Sequence, residues 1–86
     1  MKTNSNRSFV STPDDIYLQT HPSQINFINR IMEGYEYLGV LTTLSKTEGI
    51  LVVRATPDTR ADVLQILDHL PLEIVYIEKP VIFDGN

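Results

Sequence analysis

The sequence predicts an α+β domain in which strand, helix, strand, strand, helix and strand follow in turn. Its four strands form one antiparallel sheet with both helices on one face. Three observations predict it. Two stretches with apolar residues at three- and four-residue steps each begin at a proline, Pro22 and Pro57. Two β-branched runs, residues 40–45 and 50–56, flank a polar four-residue link that ends in Gly49. Shorter stretches of apolar alternation, residues 14–20 and 72–79, stand before and after these elements.

Each element has its own physical signature. In residues 14–20, Ile16 and Leu18 alternate with Tyr17 and Gln19, the period of a half-buried strand. His21-Pro22-Ser23-Gln24 stops it, and Pro22 suits a first helical position, where its missing N–H costs nothing. Ile25, Ile28, Ile31, Met32, Tyr35 and Leu38 then mark one helix face. Gly34, as a left-handed cap, or Gly39 would end that helix, and a first stop falls between Gly34 and Tyr37. The two β-branched runs read as a hairpin across Lys46-Thr47-Glu48-Gly49, with positive φ expected at the glycine. Thr56 reads as a hydroxyl cap for a second helix, Pro57 as its first residue and Asp58 as an acid in its first turn. Val63, Leu64, Leu67 and Leu70 form that helix's apolar stripe before Pro71 ends it. Residues 72–79 are the last strand, closed by Pro80.

Right-handed crossovers turn this order into a ferredoxin-like βαββαβ domain over residues 14–80. Residues 1–13, polar apart from Phe9 and Val10, read as a flexible N-terminal tail or an arm that orders on a partner. Residues 81–86 form a C-terminal tail. The expected core is Ile16, Leu18, Ile25, Ile28, Ile31, Met32, Leu51, Val53, Val63, Leu64 and Leu67.

Composition narrows the function. Hydrophobic residues make 42% of the 86 and charged ones 21%, a globular balance. With no cysteine, disulfides and thiolate metal sites are excluded. Self-association is then the natural way for so small a core to gain stability. From Asp14 onward five bases face eleven acids, a charge of −6, which opposes binding to nucleic acid or to an anionic membrane. No apolar run nears the roughly 20 residues that span a bilayer, and no secretory leader stands out, so a cytoplasmic location is expected.

Catalysis has little to stand on. The chain has no cysteine nucleophile, G-x-S-x-G, phosphate loop or H-E-x-x-H, so no enzyme, cofactor or metal is expected. Asp58 with Asp62, and Glu33 with Glu36, read as solvated helix faces, Asp14-Asp15 as a solvated strand entry, and His69 as a cation near a helix C-terminus. The third strand carries no aromatic residue on which an RNA base would stack. If a small ligand exists, it belongs at the first strand–helix loop against His21, Ser23 and Gln24. There the helix amides would favour an anion, and protonation of His21 would strengthen binding.

The sheet face away from the helices is more telling. Both side-chain rows of the third and fourth strands are substantially apolar, where a sheet wetted on one side should alternate. Ile50, Val52, Arg54, Val75 and Ile77 therefore read as an interface with a second copy or another protein. The alternative is that the tails, Val81 to Phe83 included, fold back over that face.

From Ile16 to Ile77 the pattern resembles the ACT family of small regulatory domains. That resemblance implies a βαββαβ fold and an amino acid or similar metabolite bound at a dimer interface near the first strand–helix loop, where this chain has His21-Pro22-Ser23. The segments Met32-Glu33-Gly34-Tyr35-Glu36 and Thr56-Pro57-Asp58-Thr59-Arg60 are similar to those of a family of small uncharacterised bacterial proteins. The expected function is a non-catalytic interaction module or small subunit, with an ACT-like metabolite sensor as the alternative.

Overall fold

The computed structural model describes residues 13–79. They form β1 (Ile16–Gln19), a 3-10 turn (Pro22–Gln24) running into α1 (Ile25–Glu33), β2 (Val40–Ser45), β3 (Ile50–Arg54), α2 (Arg60–Asp68) and β4 (Val75–Ile77). The strands lie in the order β2-β3-β1-β4, and every neighbouring pair is antiparallel. This is the expected α+β, ferredoxin-like arrangement. The expected tails, the Phe9-Val10 arm, the Pro80 stop and residues 81–83 lie outside the described residues. Among the described residues, no helix is long and apolar enough to cross a membrane.

Alternation along the strands sorts the core. Ile16 stands opposite Val53 and Leu18 opposite Leu51, so these four share one face. They form a single buried cluster with Ile25, Ile28 and Met32 of α1 and Val63 and Leu67 of α2. Both helices therefore cover the same side of the sheet. Leu64 packs at the margin of this cluster, and Ile31, expected in the core, is only half-buried. It lies on the flank of α1 that meets a groove shared with α2.

Several boundaries differ from the sequence reading. Gly34 does end α1, but in the right-handed region at φ −74°. No left-handed cap is needed, because the chain continues in turns. The Leu38 N–H donates to the Tyr35 carbonyl at 2.7 Å and the Gly39 N–H to the same oxygen at 3.3 Å. Gly39 leads into β2 rather than ending a helix, and a Cβ there would stand 2.8 Å from Val53 Cγ1.

Helix α2 starts later than the Pro57 pattern implies. Thr59, at its N-cap, makes no side-chain bond to the helix amides, and its Oγ1 instead accepts the Thr56 N–H at 3.0 Å. The Thr56 carbonyl accepts the N–H groups of Thr59 and Arg60. Residues 57–59 thus close a turn before the regular helix begins. At the far end the β4 segment shrinks to three residues. An edge strand extends only as far as its partner, and β1 offers Tyr17, Leu18 and Gln19 to Ile77, Tyr76 and Val75. Leu72 and Ile74 still pack against the core from the preceding loop.

Candidate functional site

The register places the five expected interface residues together. Tyr17 pairs with Val52 and Ile77, Gln19 with Ile50 and Val75, and Val40 with Arg54. All of these lie on the sheet face opposite the helices. That face is not uniformly open. Val52 is 2% exposed and Ile50 8%, and Arg54 and Ile77 are half-buried. Ile50 and Val52, expected at an interface, are thus buried within the sheet. Both belong to inner strand β3, where cross-strand neighbours flank each side chain. The exposed apolar side chains stand on the two outer strands instead, Val40 on β2 at 56% and Val75 on β4 at 60%. A carboxylate introduced at Val52 would report on the stability of the sheet and not on an assembly.

Asp15 also departs from its reading as a solvated residue. It is buried, with its Oδ2 4.0 Å from Arg54 Nη2. Arg54 thus holds an ion pair at the end of β3.

At the first strand–helix loop, His21 and Gln24 line one open cleft of about 530 Å3 together with Thr20, Glu73 and Val75. Ser23 lines a different depression, beside Phe27 and Arg30. His21 itself is the cap of the 3-10 turn. Its Nδ1 accepts the Ser23 N–H at 3.1 Å and lies 2.8 Å from Ser23 Oγ, while its carbonyl accepts the Gln24 N–H. The loop's first amides are already satisfied by the chain, which weakens the case for an anion bound there.

A second concave surface has no counterpart in the sequence reading. The end of α1, the turns after it and the outer flank of α2 border an open groove of about 640 Å3. Ile31, Leu38, Ile66 and Leu70 supply its aliphatic surface, and Tyr35 and Tyr37 stand beside them with ring centroids 6.3 Å apart. Asp62, Gln65 and His69 complete it. The sequence signal for it is the three- and four-residue spacing of Asp62, Ile66 and His69 along one helix. It becomes a site only when the turns bring the two tyrosines beside α2. His69 lies at the end of α2, where its Nδ1–H donates to the Gln65 carbonyl at 2.7 Å. Among the described residues, no three His, Asp or Glu side chains come together as a metal site would require.

The edge of the sheet is tied to α2 by one short bond, Tyr76 O–H to Asp68 Oδ1 at 2.6 Å. Partial burial first, and the Asp68 carboxylate second, raise the Tyr76 hydroxyl well above the ordinary phenol range. The folded state thus favours the neutral phenol. Its contribution is fully present below the unfolded phenol's titration, about pH 10, and fades as pH rises toward the folded one. Tyr76→Phe is expected to lower stability by about 0.5–1 kcal/mol, the range for one partly solvated hydrogen bond. Urea melts at pH 7 check this, and equal midpoints for the two proteins would show that the bond contributes nothing.

Fold and surface together define a small α+β domain with concave and edge surfaces and no assembled metal-ligand cluster among its described residues. The chain belongs to the family described as a domain of unknown function, DUF4911, whose model matches residues 18–74. No curated protein and no solved structure matches it.

Proposed function

We propose that this protein is a non-catalytic interaction module, or small subunit, that binds a second protein chain through the outer strands of its sheet, a copy of itself in the first instance. One observation supports the reading above others. Both outer strands, each paired on one side only among the described residues, carry on the same sheet face an apolar side chain more than half exposed, Val40 and Val75. Outer strands present unpaired N–H and C=O groups that a further strand can satisfy, and nearby apolar side chains add area to bury. β2 has six residues, none of them charged and none a proline, and its register with β3 is regular from Val40 to Thr43, before the irregularity between Thr43 and Ser45.

Sedimentation equilibrium tests the proposal. The wild-type chain is expected to run as a dimer or larger at concentrations on the order of 100 µM, with its midpoint of unfolding rising with concentration. The double variant Val40→Glu, Val75→Glu should run as a monomer with nearly unchanged stability, since both side chains already face water. A wild-type monomer throughout that range, or a double variant that still assembles, would overturn the proposal.

The ACT-like alternative keeps one supporting observation, the cleft that brings His21 and Gln24 beside Glu73 at the sheet edge. In that reading an amino acid added to the same sedimentation samples would shift the assembly equilibrium. Glu73 favours a ligand's amino group there, while His21, its Nδ1 accepting the Ser23 N–H, presents Nε2–H as a donor to a carboxylate.

A further inference from the structure

The groove between α1 and α2 has a consistent electrostatic character. Of its nine lining residues only Asp62 bears a formal charge at neutral pH with the histidine neutral, and none is lysine or arginine. In its neutral form His69 has committed its Nδ1–H to the Gln65 carbonyl, which leaves Nε2 as an acceptor. Tyr35 and Tyr37, tilted at 42° to each other, add two aromatic faces whose quadrupoles attract cations. The remaining surface is aliphatic.

We infer that this groove binds an organic ammonium ion on an apolar body, an aralkyl or alkyl amine, with its nitrogen at Asp62 and its body along the tyrosines and aliphatic side chains. A carboxylate or phosphate would meet the like charge of Asp62, with no lysine or arginine in the lining to offset it. An uncharged apolar molecule would cover the Asp62 carboxylate without supplying a donor, which is unfavourable. The volume of about 640 Å3 is that of a site for one small molecule. The chain's net charge of −4 also favours approach of a cation. This site is separate from the outer strands, and the two proposals stand or fall independently.

A heteronuclear NMR titration with phenethylamine at pH 7 tests the inference, with 2-phenylethanol and 3-phenylpropionate as neutral and anionic counterparts. Phenethylamine should give saturable shifts at the amides of Tyr35, Asp62, Ile66 and His69, with a dissociation constant on the order of 1 mM for so open a groove. The alcohol should bind about tenfold more weakly, and the anion should show no saturable binding, the differences expected when a charge-assisted hydrogen bond is lost or reversed. Asp62→Asn should weaken the amine about tenfold without changing the spectrum elsewhere. Tyr37→Ala removes a side chain 74% exposed, so it leaves the fold intact and should weaken the amine severalfold. Equal binding of amine and alcohol, wild-type affinity in Asp62→Asn, or shifts confined to the sheet would overturn it.

Discussion

Replacing Gly49 with alanine is expected to remove most of the domain's stability. Gly49 closes the hairpin between β2 and β3 at φ +71°, a conformation in which an L side chain is strained. The greater cost is steric. A Cβ at this position would lie 1.8 Å from the Thr20 carbonyl oxygen and 2.9 Å from its carbon. Neither atom belongs to a side chain that can rotate away. The clash also falls where the Thr20 N–H donates to the Gly49 carbonyl at 2.9 Å, the bond that ties the end of β1 to the hairpin. Left-handed strain of about 1 kcal/mol plus backbone displacement should total about 3–4 kcal/mol, near the upper end for a single substitution. In a domain this small that corresponds to a fall in Tm of roughly 15–25 °C. Gly34→Ala is the matched control. Gly34 has helical dihedrals, and its nearest Cβ neighbour would be 3.4 Å away, so that variant should stay within about 0.5 kcal/mol of wild type or gain slightly. Urea denaturation of the pair decides it, and similar midpoints for both alanine variants would refute the backbone clash.

Leu18→Ala carries the second largest expected effect. Leu18 is fully buried on β1 between its cross-strand partners Leu51 and Tyr76 and belongs to the cluster both helices cover. Truncation leaves a gap in the one place where sheet and helices meet, and the surrounding inner strands cannot collapse to fill it. The loss should be about 3 kcal/mol, within the range for buried leucines. Leu64→Ala, on α2 at the margin of the cluster, should lose about 1 kcal/mol, because much of that side chain never leaves water. Calorimetry of the two variants separates the sites. Equal losses would mean that Leu18 is not the centre of the core.

The differences between sequence reading and structure share a physical pattern. Gly49 is legible because a polar four-residue link between two β-branched runs calls for positive φ, a purely local requirement. Thr56 reads as the cap because a threonine before a proline satisfies the same local rule whether or not Thr59 reaches back to its amide. Gly34 ends α1 without left-handed geometry because the Gly34 and Tyr35 amides bond the Ile31 and Met32 carbonyls as the chain runs on in turns. The length of β4 depends on β1, a neighbour from the other end of the domain that no local pattern around residues 72–79 could reveal.

The same division holds for the candidate sites. The register collects Ile50, Val52, Arg54, Val75 and Ile77 on one face, as period-two alternation alone implies. Exposure is a different property. Strand order places β3 inside and β2 and β4 outside, so Val52 and Ile50 are buried while Val40 and Val75 meet solvent. His21 stands out in the sequence as a polar residue beside a helix start, but only its bond to the Ser23 amide shows that it serves as a cap.

The amino-acid sequence by itself determined the element order, the helix-facing residues of β1 and β3, the hairpin glycine and the acidic charge, because each depends on spacing or composition along the chain. Tertiary structure alone decided which apolar side chains reach solvent and that Tyr35 and Tyr37 stand beside Asp62 and His69. Those are properties of neighbours distant in sequence, and they exist only once strand order and helix packing have set the distances.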